Sequence, residues 1–411
     1  MNRKRHSPGG SLCAAGMLFY FLAFLLPAVR DASMTGYILA VAVPCLIFLG
    51  SYMLPHLVPV DRLLMTLTNL FCAMGVLLRF SMSPSLAIRQ AVCFGIGILV
   101  MVCSAAMMQR VRPGAGFLLP AAAISLLLTG LPLLGKNSVG LPGWMELGQS
   151  SLQPGELGKP LLIPVLAGLL SRRRLLPALG FCAALLSLLL LQRDLCGALI
   201  LGGTAVLLFW GATGNWILLI LGLAAETALA GAGGLLLPSF RLSFLVPPVS
   251  PADTESAALP LQNCFQLVSS GGLWGAGLGL SSPQEIPSGQ SEFSFALLCH
   301  SFGFIAGVCF LMLYAALLWR GSSAARTARR SFPGLGAMGA VILIGLQTFA
   351  AVSSTLQLLP LTGAALPFIS SNETSLIACL GLVGLIHGVS GMNEIALEED
   401  ASLAMLERSG A

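Results

Sequence analysis

Long uncharged apolar runs recur along the whole chain, each bounded by charges, proline or glycine. Twelve can be marked, near 11–29, 36–54, 63–78, 90–108, 116–134, 157–170, 176–192, 195–211, 215–237, 293–319, 335–358 and 375–392. A bilayer hydrocarbon core of about 30 Å is crossed by a helix of about 20 apolar residues. The pattern therefore predicts an all-α polytopic membrane protein with twelve spans. The sixth run is short and opens among polar residues, so its helix is expected to begin inside a loop at the membrane face.

Composition sharpens this reading. Of 411 residues, 56% are hydrophobic and only 9% charged, against roughly 25% charged in soluble domains. The net charge of +5 comes from short basic clusters between apolar runs, where it sets topology and does not point to nucleic acid. With the N-terminus (Arg3, Lys4, Arg5) in the cytoplasm, the same side receives Arg62, Arg110, Arg112, Arg172, Arg173, Arg174, Arg320, Arg326, Arg329, Arg330 and Arg408. That is fourteen of the 21 Lys and Arg, as the positive-inside rule requires. Both termini are then cytoplasmic. The first run has no small-residue cleavage site and more spans follow, so it reads as a retained helix and not a signal peptide. Most of the eleven cysteines lie within the runs and read as small apolar packers.

This threading leaves two long extracytoplasmic segments, Lys136–Glu156 and Pro238 to about Ser291. Long loops on a rigid helical frame are where chemistry is usually placed. Within the second, Leu259–Val268 mixes apolar and amide residues and is expected to form a short helix on the membrane surface. The chain divides into an N-terminal part with two helices (1–60), a core (61–392) and an acidic cytoplasmic tail (393–411).

Several polar residues fall where charge is expensive. Glu156 and Lys159 are three apart and share a helical face; they read either as an ion pair or as a contact for an anionic substrate. Asp194 opens the eighth span, where an acid suits the positive helix end. Arg79, Arg89, Lys136, Arg193 and Arg241 are the other outer cations. Glu292 and His300 lie about two turns apart on the tenth span, and Glu226, in the ninth, should face protein and not lipid. Pro360–Pro367 interrupts a helix at the outer face, which membrane depth tolerates only where the backbone is buried in protein or lines a cavity.

Four segments carry a family resemblance. They are Gly135-Lys136-Asn137 leading to Gln153-Pro154-Gly155-Glu156-Leu157-Gly158-Lys159, then Gln192-Arg193-Asp194-Leu195-Cys196-Gly197-Ala198-Leu199. Ser270-Gly271-Gly272-Leu273-Trp274-Gly275-Ala276-Gly277-Leu278-Gly279 follows, and last comes Pro360-Leu361-Thr362-Gly363-Ala364-Ala365-Leu366-Pro367-Phe368-Ile369-Ser370. In order and spacing they resemble the SEDS family (shape, elongation, division and sporulation; the FtsW/RodA/SpoVE type), which polymerises peptidoglycan. The resemblance implies a bundle of ten transmembrane helices, here with two extra at the N-terminus. It also implies a multi-pass protein of the bacterial cytoplasmic membrane, with lipid II as substrate and a class B penicillin-binding protein as partner. A divalent cation is expected on the pyrophosphate.

Carried over residue by residue, the resemblance makes Asp253 the candidate general base, with Glu255 as fallback. Lys136, Glu156, Lys159, Arg193, Asp194, Arg241 and Glu292 become candidate substrate contacts. The family's D-P-x-G-x-G-Y is reduced to its Asp in Asp253–Leu259. Its P-E-x-H-T-D-F becomes Pro287–Phe293, and its Y-G-G-S-S becomes Ser371–Ser375. Two other readings stay open on the sequence: a family member that binds lipid II or a partner without catalysis, and a flippase for a lipid-linked precursor.

Overall fold

The computed structural model describes residues 9–57, 60–134, 143–147, 150–236, 266–278, 293–356, 358 and 364–409. Its helices are α1 Gly9–Arg30, α2 Met34–Phe48, α3 Arg62–Met82, α4 Pro84–Arg110, α5 Ala115–Gly130, α6 Pro154–Ser171 and α7 Leu175–Leu191. They continue as α8 Leu195–Thr213, α9 Trp216–Leu236, α10 Ser294–Phe302, α11 Phe304–Arg326, α12 Ser331–Thr355 and α13 Glu373–Ser409. Every expected span contains a helix. Among the described residues nine helices are long and apolar enough to cross a membrane, and two apolar helices are shorter. The molecule is a polytopic all-α membrane protein. A two-stranded hairpin, β1 Met145–Leu147 against β2 Ser150–Leu152, interrupts the helical pattern before α6.

The tenth run departs from the expected single helix. It breaks at Gly303 (φ 90°) into α10 and α11. The sixth starts three residues earlier than its apolar pattern suggests, because Pro154 takes the first helical position, where its missing N–H costs nothing. The twelfth run ends at 392 by composition, yet α13 continues to Ser409.

Burial separates centre from rim. α3 and α13 are buried along 83% of their apolar windows, against 22% for α1 and α11. Helices apolar on all sides give no sequence signal for this difference. At the centre, the Phe71 ring stacks on Tyr314 at 4.3 Å and lies 6.1 Å from Phe368. The N-terminal pair is tied to α3 by polar contacts: the Tyr20 hydroxyl donates to Leu70 O (2.7 Å) and Asn69 Nδ2 to Ser51 Oγ (2.8 Å). Ser51 sits in a π-helical turn, Leu49–Met53, which continues α2.

The two ends of the bundle differ in chemistry. One carries the arginine-rich connections, with Arg320 Nε 2.5 Å from Asp61 Oδ2 and Arg329 paired to Asp400 on the extension of α13. The other holds the starts of α6, α8 and α13, and there the motif residues collect.

Candidate functional site

Pro154 and Gln153 open α6, and Glu156 and Lys159 occupy its first turns. Their side chains are nearly buried, and Lys159 Nζ donates to Glu156 Oε1 at 2.5 Å. The other carboxylate oxygen, Oε2, is buried with no hydrogen-bond partner among the described residues. Pro160 has no N–H to return to the Glu156 carbonyl, so the helix offers fewer internal bonds where the pair sits.

Asp194 is the N-cap of α8, accepting from the Gly197 N–H at 2.8 Å. Burial pushes its carboxyl above the usual range. The Gly197 N–H and the Lys159 charge pull it back, while Glu156 adds to the push. Glu156, Lys159 and Asp194 thus form one electrostatic group. Arg193, beside them, is exposed in the left-handed region (φ 62°).

An amide framework holds this group. Asn372 Nδ2 donates to Gln153 Oε1 (2.8 Å), while Asn372 Oδ1 accepts from Thr374 N, Thr374 Oγ1 and Ser375 N, capping α13. Gln192 Nε2 donates to Thr129 O at 2.6 Å, and Gln90 Nε2 donates to Ser370 O at 3.0 Å. These bonds tie α4, α5, α6, α8 and α13 together at one end. Gln153 and Gln192 lie inside the motifs quoted above but carry no charge, so no ionisable pattern marks them. The one signal for them was glutamine directly before a helix start.

The irregular segment 364–370 is buried in protein, as expected for non-helical backbone at membrane depth. Tyr314 donates its hydroxyl to Pro367 O, and Gln347 Nε2 donates to Ala365 O at 3.2 Å. Phe368 takes φ 66°, strained for a bulky residue and held by burial on all sides.

The glycine string does a different job from the charged group. Ala276 N–H donates to His300 O (2.8 Å), Gly277 N–H to Ser301 O (3.1 Å) and Phe304 N–H to Gly272 O (3.0 Å). A side chain on Gly303 would strike Leu273 O, and one on Gly275 would meet Ser301 O at 2.5 Å. Only glycine permits this backbone-to-backbone clasp, which fastens residues 270–277 to the α10–α11 break. His300 lies buried in the clasp with Nδ1 2.9 Å from Ser270 Oγ.

The structure brings together Glu156, Lys159 and Asp194, with Arg193 at their rim. Lys136, Arg241, Asp253, Glu255 and Glu292 lie outside the described residues, as does most of Leu259–Val268, of which residues 266–268 are helical. Glu226 packs against Gly202 of α8, facing protein. Among the described residues no three His, Cys, Asp or Glu side chains cluster to hold a metal. The group can bind and orient an anion: a buried ammonium lies beside the N-termini of α6, α8 and α13, whose dipoles favour negative charge.

Known proteins match most of this chain in sequence and in fold. A family model described as cell cycle protein, of the FtsW/RodA/SpoVE type, matches residues 57–394. Stage V sporulation protein E of Bacillus subtilis is 30% identical over 365 residues, 80% of this chain and 96% of its own length. A probable peptidoglycan glycosyltransferase FtsW of Alkalilimnicola ehrlichii is 32% identical over 309 residues, 70% of this chain and 76% of its own. Among solved structures, a chain from a peptidoglycan synthase complex that couples polymerization and crosslinking superposes with a TM-score of 0.62. It is 28% identical and covers 81% of this chain and 98% of its own. The rod shape determining protein RodA of Thermus thermophilus gives a TM-score of 0.60 at 27% identity, over 82% of this chain and 98% of its own.

Proposed function

Because this chain belongs to the SEDS family, that of FtsW, RodA and SpoVE, we propose that it is a peptidoglycan glycosyltransferase polymerising lipid II at the outer face of the bacterial cytoplasmic membrane. The observation that carries the reading is the buried Glu156–Lys159 pair with Asp194, set among three helix N-termini at the end of the bundle away from the arginine clusters. That end is extracytoplasmic in this reading, and both termini are cytoplasmic. In the reaction, the acceptor sugar's 4-hydroxyl oxygen bonds to the donor's anomeric carbon as the bond to undecaprenyl pyrophosphate breaks. The pyrophosphate leaves with the electron pair, and Asp253 takes the hydroxyl proton, with Glu255 as the fallback base.

Lys159 faces the pyrophosphate, and Lys136, Arg193, Arg241 and Glu292 supply further contacts. A class B penicillin-binding protein is the expected partner, in keeping with the synthase complex that the chain resembles. The reduction of the family's D-P-x-G-x-G-Y to its Asp in Asp253–Leu259 favours one second reading: a member that binds lipid II without polymerising it. Polymerisation of lipid II by the purified protein, alone and with its partner, tests both. Glycan strands support the enzyme; binding without strands supports the second reading.

A further inference from the structure

Arg79 has no place in the site as described, yet its surroundings are unusual. It lies in the last turn of α3 and is 7% exposed. Its guanidinium makes no hydrogen bond or ion pair with any described residue. Five N–H donors that stay charged at any physiological pH therefore have no acceptor among the described residues, on a side chain that is itself largely buried, which is costly unless something supplies one.

Position tells what that would be. One turn earlier on the same stripe of α3, Gly75 touches the backbone of Phe368 and Ile369. Arg79 is thereby carried past that contact towards Ser370–Glu373, while Gln90 of α4 holds Ser370 O from the other side. Glu373, first residue of α13, is the anion whose field reaches Arg79, but the two stay beyond ion-pair distance. Its neighbour Asn372 is bonded to Gln153, directly before Glu156 and Lys159. The start of α13 thus stands between two buried cations. Lys159 has its carboxylate in contact; Arg79 has no carboxylate within ion-pair distance among the described residues.

We propose that Arg79 binds a phosphate oxyanion near the start of α13, from the lipid-linked substrate or from a phospholipid headgroup. A planar fork of donors suits a tetrahedral oxyanion better than it suits water. The substrate alternative rests on the function proposed above.

The test uses full-length protein in nanodiscs and reads equilibrium binding, so it does not depend on turnover. In phosphatidylcholine discs the probe is undecaprenyl pyrophosphate; in a second set, titrated phosphatidylglycerol is the probe. Arg79→Gln should weaken binding of one probe by about tenfold or more, the size expected of charge-assisted hydrogen bonds. Loss in the first set assigns the substrate, and loss in the second the headgroup. Arg79→Lys keeps the charge but loses the fork, so it should weaken the same probe several-fold.

If Arg79 is only a charge partner for Glu373, the double variant Arg79→Gln/Glu373→Gln recovers wild-type affinity, and the proposal fails. It fails also if Arg79→Gln binds both probes normally. Should Arg79→Gln not fold, Arg79→Lys decides, and unchanged binding of both probes overturns the idea. A wild-type protein that binds no undecaprenyl pyrophosphate sinks the functional reading instead, and the phospholipid arm still judges Arg79.

Discussion

Removing Lys159 separates a structural ion pair from a substrate contact. In the folded protein its ammonium is the one partner of Glu156 among the described residues, at 2.5 Å, and the second carboxylate oxygen already lacks one. Lys159→Ala leaves a carboxylate buried with neither charge nor hydrogen bond to offset it. Breaking such a pair on one side costs about 3–5 kcal/mol. Glu156→Gln is milder, because the amide oxygen still accepts from the ammonium. Replacing both, Glu156→Gln with Lys159→Met, removes the charges at similar volume and should bring stability back to within about 1–2 kcal/mol of wild type, since neutral replacements of buried pairs are often harmless. The assays are thermal unfolding in detergent and polymerisation of lipid II on the same preparations. The expected result is a single variant that is unstable and inactive, and a double variant that is stable and inactive. A double variant that regains both stability and polymerisation would show Lys159 to be a fold element only, and the pyrophosphate contact would be wrong.

Four further outcomes follow from the structure and the proposed chemistry. Asp253→Asn should lower polymerisation by about 10²–10⁴-fold, the usual contribution of a general base, while Glu255→Gln stays mild; the reverse order would move the base to Glu255. Gly303→Ala should destabilise by about 1–3 kcal/mol from backbone strain alone, since its φ of 90° and the nearby Leu273 carbonyl leave no room for a side chain; an unchanged melting temperature would contradict the clasp. Asn372→Ala leaves Gln153 Oε1 without its donor and exposes the first N–H groups of α13, a loss of about 1–3 kcal/mol by thermal unfolding; no loss would mean the amide framework is dispensable. Cysteine labelling of intact cells should find 172–174 and 320–330 protected and 238–291 reactive, and a protected long loop would remove Asp253 from its substrate.

Span positions, helical class and the division of charge between the two ends were legible along the chain. They depend on local composition and on the thickness of a bilayer, which every apolar run meets in the same way. The pairing of Glu156 with Lys159 was legible for a similar reason: residues three apart on one helix are neighbours before any tertiary contact forms. Asp194 as a cap followed from its place at a helix start.

What composition did not decide was which helices stand at the centre. α1 and α3 are both apolar, yet one is largely exposed and the other buried in protein, and lipid tails and core side chains make the same demand on a sequence. Nor did it reveal the bond between Gln153 and Asn372, 219 residues apart, or the break that Gly303 makes in an unbroken apolar run. The approach of Arg79 to Glu373 at the start of α13 was equally hidden. Each of these arises where two backbones approach from distant parts of the chain. An uncharged amide or a glycine gains its meaning only from what the fold sets against it, because neither carries a periodic pattern or a net charge of its own.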